Sequence, residues 1–207
     1  YGAVSSGTVM KGFYYINVGA TIEAINIQNS FIHDIVCDGG DLFDCRKGYI
    51  KSLNINNNVI YNCATERDFI RYDDASNSFG NPIPEIDITQ NTIDNCMNDA
   101  NGKRILYVRF NGKKGGQRIK VANNLITNTQ AVYTNQATTS TPEYRNNYYF
   151  NCNNANIFAA SDKDNSLYWN GDVSGKNGDN PNYQNPAKGQ FTVMNKDISK
   201  LKVGAQR

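Results

Sequence analysis

Apolar and polar residues alternate through Ile25-Asn26-Ile27-Gln28; two small polar residues, Asn29-Ser30, break the rhythm, and an apolar residue follows at once. A period of two predicts a half-buried strand, so the stretch reads as strand, sharp bend, strand. The phrase returns. With Ile27 as origin, the frame restarts at Ile55, Ile88, Val121 and, more loosely, Tyr144. Two residues on stand Asn29, Asn57, Gln90, Asn123 and Asn146; three on stand Ser30, Asn58, Asn91, Asn124 and Asn147. Five on stand Ile32, Ile60, Ile93, Ile126 and Tyr149. Seven on stand Asp34, Asn62, Asn95, Asn128 and Asn151, and eight on Ile35, Cys63, Cys96, Thr129 and Cys152.

The rows are 28, 33, 33 and 23 residues apart. A fixed phrase at uneven spacing, with a period of two inside each row, predicts a coil of short parallel strands joined by loops of variable length. The 3.6 period of helical solenoids and the Leu spacing of leucine-rich repeats are both absent. A third strand follows in each row: "DLFDCR" (Asp41 to Arg46), "RDFIRY" (Arg67 to Tyr72), "RILYVRF" (Arg104 to Phe110), "AVYTN" (Ala131 to Asn135) and "NIFAA" (Asn156 to Ala160). "GFYYINV" (Gly12 to Val18) supplies the same strand of a partial first coil. Three parallel sheets then run the length of a prism of about five to six coils. Residues 1–160 form the coils. From Ala160 the repeat fades, and 161–207 is read as an irregular segment of the same domain that caps the open end, where strand edges need cover. Within it "GQFTVM" (Gly189 to Met194) is a candidate last strand, and Tyr168-Trp169 a pair to pack on the final coil.

Asparagine explains the bend. The chain holds 32 Asn residues, and they fall in register rather than in low-complexity runs. Asn tolerates the left-handed backbone that a sharp corner needs. Its amide also reaches the Asn one coil away, about 4.8 Å along the stack, so the column predicts an internal ladder.

Composition narrows the class. Over 207 residues, 39% are hydrophobic, with 13 Tyr, 9 Phe and one Trp, which suits one folded domain. No apolar run approaches the roughly 18 residues of a membrane span. The first residue is Tyr1, not Met, and the sequence reads as a processed piece. A net charge of +2 gives no general attraction to nucleic acid or membrane surfaces. The five Cys contain no CxxC pair, which disfavours a zinc ribbon or redox motif. Cys63, Cys96 and Cys152 share a column whose parallel side chains suit core filling better than a disulfide; a Cys37–Cys45 bridge stays open. His33, the single histidine, stands at an exposed alternation position.

The repeated phrase, as in Ile86 to Cys96, resembles the right-handed parallel β-helix of pectate-lyase-like proteins. The closing "NPNYQNPAKGQFTV" (Asn180 to Val193) resembles the final phrase of many such bacterial proteins. The nearest resemblance is to β-helix domains of surface lipoproteins from gut bacteria, beside chondroitinase-type and alginate-type polysaccharide lyases, over roughly residues 12 to 207. This resemblance implies fold more than function, because the architecture serves lyases, hydrolases, epimerases, tailspikes and adhesins.

Lyases of that kind carry their sites on the sheet leading into long loops, here the "DLFDCR" sheet. With Phe43, Ile70 and Leu106 inward, alternation turns Asp44, Arg71 and Tyr107 outward in one column and Arg46, Asp73 and Arg109 in a second; Asp41, Asp68 and Arg104 stand at the strand entry, with Lys47 in the following loop. β-Elimination on a uronate polymer needs cations to neutralise the carboxylate and a base for the C5 proton. Arg71 and Tyr107 are the candidate catalytic residues, and Asp44, Arg46, Asp73, Arg109 and Lys47 the candidate substrate-binding residues. The competing reading is that opposite charges alternate on a solvent-facing sheet simply to pair. No cofactor is implied, although Asp41 and Asp68, with Asp38 or Glu66, offer oxygen ligands of the kind calcium takes. A hydrolase would need grouped carboxylates, and here the signs alternate. The sequence favours a secreted or outer-surface, monomeric, non-catalytic module that binds a polysaccharide, including an acidic one, or serves as scaffold; a polysaccharide lyase at the Arg71/Tyr107 face is the alternative.

Overall fold

The computed structural model describes residues 12–37, 40–65, 67–74, 84–98, 106–110, 119–129, 133–135, 143–152 and 178–207. The repeat becomes three five-stranded parallel sheets. The first contains β2 (Thr21–Gln28), β6 (Tyr49–Asn56), β10 (Glu85–Thr89), β13 (Ile119–Ala122) and β16 (Glu143–Arg145). The second contains β3 (Phe31–His33), β7 (Val59–Tyr61), β11 (Thr92–Asp94), β14 (Leu125–Thr127) and β17 (Tyr148–Phe150). The third contains β1 (Tyr14–Ile16), β5 (Phe43–Arg46), β9 (Ile70–Asp74), β12 (Leu106–Phe110) and β15 (Tyr133–Asn135). A short parallel pair, β4 (Val36–Cys37) and β8 (Ala64–Thr65), joins the first two coils at another corner. The chain is a parallel β-helix, and the strands fall where the rows predict; "NIFAA" lies outside the described residues.

Parallel pairing in register stacks like on like. Ile27, Ile55, Ile88 and Val121 pair in succession, as do Ile32, Ile60, Ile93, Ile126 and Tyr149. Phe43, Ile70 and Leu106 line the third wall. All are buried in one continuous core, each contributing on the order of 1.5–3 kcal/mol by leaving water. Tyr72 also points inward, and its hydroxyl accepts the Ile50 N–H at 3.0 Å, which satisfies a polar group that the core could not otherwise hold.

The corners divide the work that the sequence assigns to one column. Asn29, Asn57, Gln90, Asn123 and Asn146 take left-handed backbone with φ between 53° and 57°. Asp34, Asn62, Asn95, Asn128 and Asn151 do the same at the next corner, with φ between 49° and 54°. The internal ladder is formed by their neighbours Asn58, Asn91, Asn124 and Asn147, which are wholly buried. Each Oδ1 of Asn91, Asn124 and Asn147 accepts both the backbone N–H and the side-chain amide of the Asn one coil before, at 2.9–3.1 Å. The amides also donate to Ile27, Ile55, Ile88 and Val121 carbonyls. Asn58 closes the ladder at the first coil on the Ser30 N–H.

The segment expected over the open end has its described part, 178–207, along the flank instead. "GQFTVM" yields β19 (Gln190–Val193), which pairs antiparallel with β18 (Tyr183–Asn185) rather than joining a stack. A five-residue helix, α1 (Lys196–Lys200), follows, with the Asn195 side chain capping its first N–H groups. This unit packs on the outer face of the second sheet: Ile198 and Val203 meet Leu125 and Tyr148, and Phe191 meets the Tyr61 ring at 5.0 Å. The final residues then run back down the coils. Gly204 N–H donates to Asn123 O, Ala205 N–H to Thr92 Oγ1, and Gln206 N–H to Asn57 Oδ1. Arg207 reaches Ser30 O and lies over the Phe31 ring at 4.1 Å. Tyr168 and Trp169 lie outside the described residues.

All five Cys are free and buried, so no Cys37–Cys45 bridge forms. Burial raises the thiols of Cys37 and Cys152 to about 12, which keeps them protonated and unreactive. His33 is partly exposed, stacked on Tyr61 at 4.8 Å and bonded to Asp34 at 2.7 Å.

The two corner positions predict opposite tolerances. Asn124→Ala removes the acceptor of the Asn91 N–H, the side-chain donor to the Ile88 carbonyl and one bond from each of the Asn91 and Asn147 amides, all buried, and is expected to lower unfolding free energy by roughly 3–5 kcal/mol. Asn123→Gly keeps the left-handed corner and is expected to change it by less than about 1 kcal/mol. Urea unfolding of both variants checks the contrast. Gly204 has φ 80°, and a Cβ there would stand 2.7 Å from Thr92 Oγ1 and 2.9 Å from Leu125 Cβ. Gly204→Ala is therefore expected to loosen the tail, seen as faster tryptic cleavage after Lys200 and Lys202 while the coils stay protected.

Candidate functional site

The expected columns are in register. Asp44 pairs with Arg71 and Arg71 with Tyr107; Arg46 pairs with Asp73 and Asp73 with Arg109. Their exposure differs from the expectation. Asp44 is 1% exposed and Tyr107 5%, and the side chain of Arg71 is 15% exposed. Asp41 and Asp68 are fully buried, Asp73 is buried and Arg46 half-buried; only Lys47 is open. Alternation says which side chains leave the core, but not whether the outer face meets water, so the solvent-facing groove is corrected to a covered charge cluster. The side chain of Arg109, along with Arg104, Asp38 and Glu66, lies outside the described residues.

Within the cluster the charges pair along strands and through Asp41, rather than straight across coils. Arg46 Nε donates to Asp44 at 3.1 Å, and its Nη2 is paired with Asp41. Arg71 Nη2 donates to Asp73 at 2.5 Å, its Nη1 lies 3.8 Å from Asp41, and its guanidinium sits 5.2 Å over the Tyr107 ring. Arg71 Nε is buried without a partner among the described residues. Asp41 also accepts the Asp68 N–H at 2.6 Å. Arg46, expected to bind substrate, and Arg71, expected to be catalytic, are thus both held by carboxylates of this chain, and Asp41, the candidate calcium ligand, is held by them. No group of three or more His, Cys, Asp or Glu side chains suited to a metal occurs among the described residues. Burial and the neighbouring Asp41 raise the Asp44 carboxyl from 3.8 to about 6, against the pull of Arg46 and Arg71.

The open site is elsewhere, at the corner after the second sheet. A groove of about 880 Å³ runs beside the left-handed column, lined by Asn62, Asp94, Asn95, Asn98, Asn128, Thr129, Asn151 and Cys152, with Pro186 and Ala187 of the β18–β19 turn forming the far wall. The column is a second, outer ladder. Asn62 donates to Asp34 at 3.1 Å, Asn95 to Asn62 at 2.8 Å, and Asn151 to Asn128 at 2.8 Å. It breaks once. Asn128 turns from Asn95 and donates to Asp94 Oδ1 at 2.7 Å, while Asn98 bridges the gap to Asn95 Oδ1 at 3.0 Å and Asn128 O at 2.5 Å. Thr127 Oγ1 donates to the same Asp94 oxygen at 2.5 Å and meets the Tyr183 hydroxyl at 3.1 Å. The flanking segment is thereby tied to the groove floor. Among the described residues, no Lys, Arg or His lines the groove.

Sequence reasoning missed this groove. Its signal was present: Asp94 stands in a column otherwise held by His33, Tyr61, Thr127 and Phe150, the one carboxylate beside a row of amides. The wall from Pro186 and Ala187 carried no such signal, because it depends on the tail folding back.

Stack, ladder and groove define a parallel β-helix domain with a C-terminal flanking segment. Residues 86–207, more than half of the chain, match a family described as Domain of unknown function (DUF5123), and the chain belongs to that family. Residues 7–63 match a second, described as Domain of unknown function (DUF4957). No curated protein and no solved structure matches the chain.

Asp44 makes stability depend on pH. Its folded carboxyl titrates above the ordinary value, so between 3.8 and about 6 the folded state holds a proton that the unfolded chain has lost. Stability from this group is full below that window and falls as pH rises through it. Asp44→Asn removes the titration: relative to the variant, wild type is expected to lose stability between about pH 4 and 6, read from urea midpoints across that range.

Proposed function

We propose that the domain is a non-catalytic module, secreted or at the outer cell surface, that engages a polysaccharide along the Asn-lined groove. The observation that carries this reading is the outer ladder. It presents side-chain amides at one-coil intervals, about 4.8 Å apart, along an open groove. Each amide nitrogen has two N–H donors and uses one on the ladder, so a row of donors remains for a ligand that repeats along the stack. A polymer of hydroxyl-bearing rings is such a ligand. The fold's resemblance to pectate-lyase-like proteins supports the same class. The outer ladder also holds the groove rigid, which lowers the ordering cost of binding.

The lyase alternative has less support. Arg71 and Tyr107 would have to reach a polymer from a covered cluster in which Arg71 is held by Asp73. The experiment is affinity electrophoresis of the protein in gels carrying soluble neutral or acidic polysaccharides, with absorbance of the unsaturated product followed in parallel. Retarded migration without an absorbance rise is the expected result. An absorbance rise that disappears in Arg71→Ala would overturn it in favour of the lyase.

A further inference from the structure

The break in the outer ladder has a chemistry of its own. Asp94 is 7% exposed, and its Oδ1 is taken by Thr127 and Asn128. Its second oxygen, Oδ2, has no hydrogen-bond partner among the described residues, in a side chain that lines the groove. That oxygen lines an open groove and is available to a ligand, and Thr127 and Asn128, with Tyr183 behind Thr127, fix the carboxylate's position before any ligand arrives. Around it stand the spare N–H donors of Asn62, Asn95 and Asn128, and the Asn98 carbonyl oxygen, which likewise accepts nothing among the described residues.

We infer that the groove takes a neutral, hydroxyl-rich glycan, with Asp94 Oδ2 as the acceptor that orders one sugar ring at the gap between Asn95 and Asn128. This rests on the glycan-binding reading above and narrows it. A hydroxyl both donates and accepts, so vicinal hydroxyls satisfy an acceptor carboxylate and neighbouring amide donors together. A uronate or sulfated chain does not fit. Its anion would face Asp94, and among the described residues no cationic side chain lines the groove to offset the repulsion. The acidic partner that the sequence allowed is therefore disfavoured at this site, and the arginines that suggested it belong to the covered cluster. Calcium bridging is the competing use of Asp94, and one carboxylate among amides is a thin ligand set for it.

The test uses the full 207-residue chain and calorimetric titration with cellohexaose, xylohexaose and mannohexaose against hexagalacturonate and an alginate hexamer, each with EDTA and with added calcium. At least one neutral oligomer is expected to bind, equally with EDTA and calcium, and Asp94→Ala is expected to weaken it by roughly tenfold or more, the loss of a charged hydrogen bond. Asp94 also anchors Thr127 and Asn128, so Asn98→Ala, at an exposed side chain, is the companion variant; it is expected to weaken binding without altering the unfolding midpoint. Neutral binding that both variants leave unchanged would overturn the site. Binding confined to the acidic oligomers, or dependent on calcium, would overturn the inference while the glycan-binding reading stands. Binding of none of the oligomers would remove both.

Discussion

A side-chain amide buried in the stack must bond above and below or cost more than it contributes. In this chain Asn58, Asn91, Asn124 and Asn147 meet that requirement by meeting one another, with side chain to side chain distances of 2.9–3.0 Å. The consequence is geometric. Each coil must return to one point on one edge, whatever path it takes elsewhere. The rows can then differ by as much as ten residues, 23 against 33, without disturbing the ladder, because the length varies on the two other stretches of the coil, from second to third strand and from third to first. Stability and variability are thereby assigned to different corners of the same coil.

The same logic produces the open site. An inner ladder needs its preceding residue in left-handed backbone, and the next corner needs another; Asn suits both. The second set faces outward, so its amides form a ladder that water reaches. Where that ladder breaks, at Asp94, the stack gains a fixed acceptor among spare donors. The C-terminal segment supplies what a bare β-helix lacks, a wall opposite the corner. It is held at three levels, by Tyr183 on Thr127, by Ile198 and Val203 on Leu125 and Tyr148, and by Gln206 and Arg207 on the first two coils. Residues 86–207, the matched family region, contain both the ladder break and this wall.

The strands, their register and the inner ladder were legible because parallel stacking writes itself as columns: a residue type suited to one coil suits the next. Ile27 to Val121 and Asn58 to Asn147 are such columns. What was not legible came from contacts without a period. The tail's return to Ser30 and Phe31 spans most of the chain and has no repeat to announce it. The burial of Asp44 and Tyr107 was not legible either. Alternation says which side of a strand a residue takes, and nothing of whether that side meets water. Assigning both the bend and the ladder to one Asn column was an error of a different sort, since adjacent positions of the same residue type hid a division of labour that only φ values and bond partners reveal.

The two polar regions of the molecule therefore ask for different explanations. Behind the third sheet, Asp41, Asp44 and Asp73 surround Arg46 and Arg71, each charge facing an opposite one. Such a buried set gains little net stability over apolar residues of similar volume, and its pairing leaves both guanidiniums committed. A slip in register between β5 and β9 would break only its links between coils, Arg71 with Asp41 and the Asp68 N–H on Asp41, because the Arg46–Asp44 and Arg71–Asp73 pairs each lie within one strand. Along the groove at the second corner the described polar groups are uncharged but for Asp94, ordered by each other, and only half used. A binding surface needs groups that are fixed yet accessible; the charge cluster is fixed but covered, and the broken amide ladder, open along the groove, has the combination that recognition requires.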